Sequence, residues 1–261
     1  MRLSFNKYQG AGNDFVLTLV EDESLTLNSE QISFICNRKF GIGADGYIEI
    51  YKNRTADFEM KYYNADGKIG SMCGNGARCA VAFSKRSGLI ENDTRFVAYD
   101  GIHTARILNN GNVVVSICDV GKIEEEHDFF FVDTGSPHHI QFVTGLSEFP
   151  VEVEGYRIRH SERYKCGGTN VNFVEIRDQV ANIRTYERGV EGETLACGTG
   201  VTAVALVILF KNFISGLENQ VRVNTLGGEL VVTAKKNKDQ SFSSIQLEGP
   251  AEFVFSGEIE L

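Results

Sequence analysis

The chain has 261 residues, 42% hydrophobic and 23% charged, enough for one large or two ordinary globular domains. Its 35 acidic side chains outnumber 26 basic ones, and a net charge of −9 argues against nucleic acid or an anionic membrane as the main partner. The opening MRLSFNKYQGAGND lacks the apolar core of a signal peptide, and the longest apolar run, roughly 201–210, is about half a membrane span, so a soluble cytoplasmic protein is expected.

In chain order, the patterns predict a helix over 29–38, a strand at YIEIY (47–51) and a second helix over 75–86. RILNNGNVVVSI reads as a hairpin turning at Asn110-Gly111. FVEI (173–176) is a strand, 199–213 a helix apolar on every side, and ELVVTAK (229–235) and FVF (253–255) further strands. Few helices among many short strands make an α+β chain with much antiparallel sheet.

The chain also repeats itself. MCGNGARC (72–79) and ACGTGVTA (196–203) each place a cysteine and Gly-x-Gly before a helix, at an offset of 197 − 73 = 124. Gly12 and Gly135 differ by 135 − 12 = 123, and Asn64 and Glu187, each after a tyrosine, by 187 − 64 = 123. Glu49 and Glu175, in GADGYIEI and GTNVNFVEI, differ by 175 − 49 = 126. Four matches in one order at nearly one offset predict two pseudo-symmetric halves facing a cleft. The expected halves are 1–117, completed by 249–261, and 118–248.

Six cysteines stand at 36, 73, 79, 118, 166 and 197, with no CxxC and no zinc-site spacing. Cys36, Cys79, Cys118 and Cys166 read as small buried hydrophobes. Cys73 and Cys197 would each sit at a helix N-terminus, where unpaired N–H groups and the helix dipole favour thiolate. The same N–H groups would bind a carboxylate, and the glycines would let a ligand approach the backbone. Two opposed thiols and a held carboxylate suit proton removal from the adjacent carbon on one face and return on the other.

MCGNGARC, ACGTG, YNADG, YERG, KYQGAGNDF and TNVNFVEI together resemble diaminopimelate epimerase, over about residues 5–250. Cys-Gly-x-Gly alone would be shared with the wider proline racemase-like superfamily; YERG and GAGNDF are more specific. The resemblance implies a cofactor-independent isomerase of lysine and peptidoglycan-precursor synthesis, interconverting LL- and meso-diaminopimelate. It implies two halves, each a β-barrel-like mixed sheet around a central helix, often assembled as a homodimer. Cys73 and Cys197 then form the acid–base pair, with His138 and Glu187 beside the thiols. Asn13, Asn64, Asn170, Glu187 and Arg188 contact substrate, and Gly74-Asn75 and Gly198-Thr199 offer N–H groups to its reacting carboxylate. Gly46 stands where many members have Gln, and Ser136 where many have Asn.

GIGADG (41–46) matches GxGxxG, but a strand follows it, so it is no nucleotide loop. His138-His139 lack a carboxylate cluster, so no metal is expected. With acid, base and charge stabilisation all supplied by thiols and helix ends, no pyridoxal phosphate is expected either. In isolation Asn64 and Asn170 would be turn residues and Glu187-Arg188 a surface pair. The alternatives are a racemase of proline or hydroxyproline, a cysteine hydrolase with Cys197 as nucleophile and His138 as base, and a non-enzymatic metabolite binder.

Overall fold

The computed structural model describes residues 2–21 and 26–261. The chain divides into two compact units, Met1–Val115 with Gly249–Leu261, and Ser116–Glu248.

The first unit begins with β1 (Arg2–Gly10), which turns through Ala11-Gly12 into β2 (Asn13–Val20). Both turn residues have positive φ, 54° and 83°, the geometry that lets a two-residue hairpin follow the strand twist. This turn sets Asn13 as the first residue of β2, opposite Gly10. Helix α1 (Ser29–Cys36) follows, closed by a capping box between Asn28 and Gln31. Next come β3 (Gly46–Lys52), β4 (Phe58–Asn64), α2 (Gly74–Arg86), β5 (Asp93–Ala98), β6 (Gly101–Ile107) and β7 (Val113–Ser116). The Asn110-Gly111 turn joins β6 to β7, with Ile107 opposite Val113. At the C-terminus β17 (Glu252–Glu260) pairs antiparallel with β1 and so belongs to this unit.

The second unit holds β8 (Ile123–Glu125), β9 (Phe130–Asp133), β10 (Pro137–Phe142), α3 (Val151–Arg159), β11 (Asn170–Arg177) and β12 (Val180–Glu187). It continues through β13 (Gly192–Thr194), α4 (Gly198–Lys211), β14 (Gln220–Thr225), β15 (Gly228–Lys236) and β16 (Phe242–Gly249).

The strand pairings of the units repeat. Along β1, β2, β3, β4, β5 and β6 the successive pairs run antiparallel, parallel, antiparallel, parallel and antiparallel. Along β9, β10, β11, β12, β14 and β15 they run in the same order. The residue inserted between Glu187 and Cys197 falls in the segment that forms β13, a short strand against β12. In the first unit the equivalent segment makes only the Tyr63–Ile69 bridge.

Each unit wraps its sheet round one helix. Helix α2 packs on β1, β2, β3, β4, β6 and β17; α4 packs on β9, β10, β11, β14 and β15. Residues 200–209 of α4 are all buried, as its unbroken apolar run requires. The mixed α+β class is as the patterns indicated, with boundaries shifted slightly. Helix α1 stops at Cys36, and α4 ends where Asn212 turns left-handed at φ 54°.

Two expectations are corrected. Helix α3 gives little helical signal, since VEVE alternates like a strand and Gly155 interrupts it. That glycine is needed, because a Cβ there would meet Tyr186 Cβ at 2.4 Å. Cys36 and Cys79 are buried, but Cys118 and Cys166 are exposed, not small core residues. Among the described residues no helix is long and apolar enough to cross a membrane.

Candidate active site

In the first unit, Cys73 caps α2 with extended backbone (φ −107°, ψ 116°), and its sulfur accepts from Gly76 N at 3.4 Å. A sulfur in the N-cap position takes the place usually filled by Ser or Asp oxygen. Asn13 Oδ1 faces the same point, 3.9 Å from Cys73 Sγ and 3.4 Å from Asn75 Nδ2. Its amide is oriented from behind: Asn13 Nδ2 donates to Asp45 Oδ2 at 2.6 Å. Arg38 bridges Asp45 and Asp14, and Lys7 pairs with Asp14 at 2.7 Å. Burial works to raise the Asp14 pKa, but Arg38 and Lys7 prevail and hold it at about 2.

Asn75 is oriented too. Arg78 Nη2 donates to Asn75 Oδ1 at 2.8 Å, which turns Asn75 Nδ2 toward Asn13. Gly74 and Asn75 occupy the first two positions of α2, whose N–H groups have no partner within the helix. Asn64, last in β4, is exposed and makes no side-chain hydrogen bond to this group. Gly46 opens β3 opposite Asn64. A Cβ on Gly46 would lie 2.4 Å from Tyr62 Cε2 and 2.7 Å from Tyr63 O, so the Tyr62 ring occupies the space a larger residue would need.

In the second unit, Cys197 caps α4 with nearly the same backbone (φ −115°, ψ 107°). Its sulfur makes no capping bond to the helix backbone and lies 3.5 Å from Thr199 Oγ1. Gly198 and Thr199 are the first residues of α4, and Thr134 Oγ1 donates to Thr199 O at 3.0 Å. His138 on β10 sits beside Asn170 on β11 in parallel register. It is fully buried, and burial, with the Arg188 charge second, lowers its pKa to about 3.

Asn170 Nδ2 donates to Ser136 Oγ at 2.9 Å and Pro137 O at 3.1 Å, and its Oδ1 accepts from Arg188 N at 2.9 Å. Arg188 reaches Gly167 O at 3.0 Å and Ser136 Oγ at 3.4 Å. Ser136 thus ties Asn170 to Arg188. Glu187 Oε2 accepts from Thr194 Oγ1 on β13 at 2.8 Å.

Two units therefore each carry a cluster. Asn13, Cys73, Gly74 and Asn75 come together in one; His138, Asn170 and Arg188 gather near α4's start in the other, with Cys197, Gly198 and Thr199 on the helix itself. The third-position glycines face the sheets. A Cβ on Gly76 would meet Ile48 Cδ1 at 3.1 Å, and one on Gly200 would meet Asn172 Oδ1 at 2.4 Å. They let each helix approach its own sheet. Sequence reasoning gave no role to Asp45, Arg78, Thr194 and Asn172, and marked Ser136 only as a departure from the resembled family. Arg78, Asp45 and Asn172 lay in quoted motifs, but the partners of all five become visible only once strands bring distant segments together.

The diaminopimelate epimerase family model matches residues 5–124 and 130–254. The Flavobacterium psychrophilum diaminopimelate epimerase is 44% identical over 254 residues, covering 95% of this chain and 97% of that one. The Chlorobaculum tepidum diaminopimelate epimerase is 40% identical, covering 97% and 99%. Among solved structures, a Bacillus anthracis phenazine biosynthesis protein of the PhzF family superposes with a TM-score of 0.79 at 14% identity, covering 100% of both chains. A hydroxyproline epimerase from Agrobacterium vitis, with bound trans-4-hydroxy-L-proline, gives 0.69 at 13% identity, covering 100% of this chain and 93% of that one. At such identities the structural likeness concerns the fold.

Proposed function

The chain belongs to the diaminopimelate epimerase family, and we propose that it interconverts LL- and meso-diaminopimelate, an isomerisation in lysine and peptidoglycan-precursor synthesis. The observation that carries this reading is the repeated end of α2 and α4. Each is a buried helix capped by a cysteine with near-identical extended backbone.

The chemistry follows from what such a cap supplies. A thiolate at a helix N-terminus is stabilised by the dipole and by N–H groups that lack internal partners. One cysteine, as thiolate, takes the α-proton: the Cα–H bond breaks and an S–H bond forms. The electron pair delocalises into the substrate carboxylate, whose growing charge the N–H groups of Gly74-Asn75 and Gly198-Thr199 stabilise. The other thiol gives its proton to the opposite face, forming a new Cα–H bond and leaving a thiolate. The proposal requires both thiols to reach one carbon.

The remaining assignments belong to the same proposal. Asn13 and Asn75 hold the substrate near Cys73. Asn64, Asn170, Glu187 and Arg188 hold its non-reacting amino-acid head, where Arg188 suits a carboxylate and Glu187 an ammonium. His138 and Glu187 tune the protonation of the thiols. We read residues 1–117 with 249–261 and residues 118–248 as two functional halves, each supplying one thiol. The enzyme is cytoplasmic and works as a homodimer, without metal or pyridoxal phosphate.

The test is solvent exchange. Purified chain is incubated with LL-diaminopimelate in D₂O with no added cofactor. Early meso product should carry deuterium at the inverted carbon while remaining LL substrate stays largely protonated. No inversion, or equal labelling of both isomers, would count against two bases. Parallel assays with L-proline and trans-4-hydroxy-L-proline address the racemase alternative; turnover of either in place of diaminopimelate would overturn the substrate assignment.

A further inference from the structure

Position 78 in α2 and position 202 in α4 are equivalent in the repeat, since 202 − 78 = 124, the offset of the two cysteines. Both side chains bond back one helical turn. Arg78 Nη1 donates to Gly74 O at 3.2 Å, and Thr202 Oγ1 donates to Gly198 O at 2.9 Å. The acceptor in each case is the carbonyl of the residue after the cysteine. One helix therefore carries a guanidinium beneath its cysteine, and the other a neutral hydroxyl.

Arg78 is also an unusual arginine. It is fully buried, and its bonds go to Gly74 O, Asn75 Oδ1 at 2.8 Å and Pro250 O at 3.2 Å, all neutral acceptors. Among the described residues no carboxylate lies within ion-pair distance of it. A buried charge without a counter-ion is costly, so its partner is to be sought in an anion that comes and goes. Burial lowers the Arg78 pKa to about 10, which leaves it charged at neutral pH. At the sulfurs, Cys73 Sγ accepts a backbone N–H from Gly76 at 3.4 Å and lies 3.9 Å from Asn13 Oδ1, and Cys197 Sγ lies 3.5 Å from Thr199 Oγ1.

We infer that Arg78 is a positioning residue whose buried charge holds Cys73, and not Cys197, as the resting thiolate. This rests on the two-thiol reading above and deepens it by assigning which cysteine starts as base. Cys197 then rests as the protonated acid, and the enzyme first meets substrate in one of its two possible states.

Around Cys73, Asn13 is neutral and turns its acceptor Oδ1 to the sulfur at 3.9 Å, a contact that favours the thiol and that the Arg78 charge must outweigh; Asp45 and Asp14 are answered by Arg38 and Lys7, and burial pushes Cys79 to about 12, so it stays a thiol. Around the start of α4, Thr134, Thr199, Thr202 and His138 are neutral at pH 7, and the charged members of that cluster are Glu187 and Arg188.

The test measures both thiols in one protein. Wild-type chain is alkylated with iodoacetamide across pH 5–10, and the rate at each cysteine is read by peptide mass spectrometry. Cys73 should show a midpoint about one pH unit below that of Cys197. Arg78→Gln should raise the Cys73 midpoint by about one unit, roughly tenfold less thiolate at neutral pH, while Arg78→Lys restores most of the shift. The Cys197 midpoint should stay in place in both variants.

Equal or reversed midpoints in the wild type would overturn the inference, and that comparison stands even if Arg78→Gln fails to fold. A Cys73 midpoint unmoved in a folded Arg78→Gln protein would overturn it as well. Alkylation needs no substrate, so a failed epimerase assay and a failed thiol comparison are separate results.

Discussion

The side-chain amide of Asn172 donates to Nδ1 of His138 at 3.2 Å and to His139 O at 3.0 Å, while its Oδ1 accepts from Thr185 Oγ1 at 3.0 Å. Every position of that amide is thus assigned, and Nδ1 of His138 must accept. The imidazole proton sits on Nε2, which is buried and has no hydrogen-bond partner among the described residues. His138 is a neutral ring presenting one N–H, and it is a poor proton acceptor through Nδ1.

The first prediction concerns acid stability. Burial lowers the His138 pKa from 6.5 to about 3, and that of His139 to about 4. Between these values and about 6.5 the unfolded chain binds protons that the native protein refuses. Stability should therefore fall as pH drops below about 6.5, by up to about 1.4 kcal/mol per pH unit for each histidine. Urea unfolding at pH 7, 6, 5 and 4.5 measures the slope. His138→Gln should flatten it by about one proton; an unchanged slope would show that His138 is protonated in the native state.

The second prediction is the loss of either thiol. Cys73→Ala and Cys197→Ala should each lower inversion of LL-diaminopimelate by about 10²-fold or more, since one face then lacks its proton carrier. Cys→Ser should also be severe, because a hydroxyl is far less acidic than a thiol. The assay is meso formation by chiral separation. Near wild-type inversion in either alanine variant would end the two-thiol mechanism.

The third prediction concerns Arg188. Its guanidinium is held by Gly167 O and Ser136 Oγ, both neutral, and no carboxylate of the described residues pairs with it. Its charge is available to a substrate carboxylate. Arg188→Ala should cost about 2–4 kcal/mol in kcat/KM for diaminopimelate, as for a lost charged hydrogen bond. Lysine, which lacks the distal carboxylate, should be turned over poorly by the wild type. Comparable rates for the two amino acids would remove Arg188 from the specificity assignment.

The fourth prediction concerns Gly46, the first residue of β3. The Tyr62 ring and Tyr63 carbonyl leave no room for even a methyl group there. Gly46→Ala should destabilise the chain by about 1–3 kcal/mol through overpacking. Combining it with Tyr62→Ala should recover only part of the loss, because the Tyr63 carbonyl is backbone and cannot be trimmed. Thermal melts of the single and double variants decide it. A fully stable Gly46→Ala protein would mean that the ring moves freely.

Much of this molecule was legible in its residues. The run 201–210 could only be a buried helix, since no face of it tolerates water. The Asn110-Gly111 turn was readable because Asn-Gly between two strand-like runs supplies a turn and a glycine free to take positive φ, here 89° at Gly111. The repeat offset located Cys73 and Cys197 together, because a thiol before Gly-x-Gly and a helix is a local pattern. Helix α3 was not legible: its packing on Tyr186 through Gly155, not its own periodicity, decides that it forms.

What only the tertiary structure decided is which polar groups meet. Asp45 reaches Asn13 because β2 and β3 run side by side in parallel, and Ser136 reaches Asn170 and Arg188 because β10, β11 and β12 are neighbours. Arg78 reads in sequence as one more charged helix residue. Folding buries it without a carboxylate and beneath one cysteine of two. The sequence by itself determined that two cysteines would stand at the N-cap positions of two helices, since helix formation depends on neighbours within a few residues. The charge each thiol experiences depends on groups brought in from elsewhere and on the water removed around them, and those exist only in the fold.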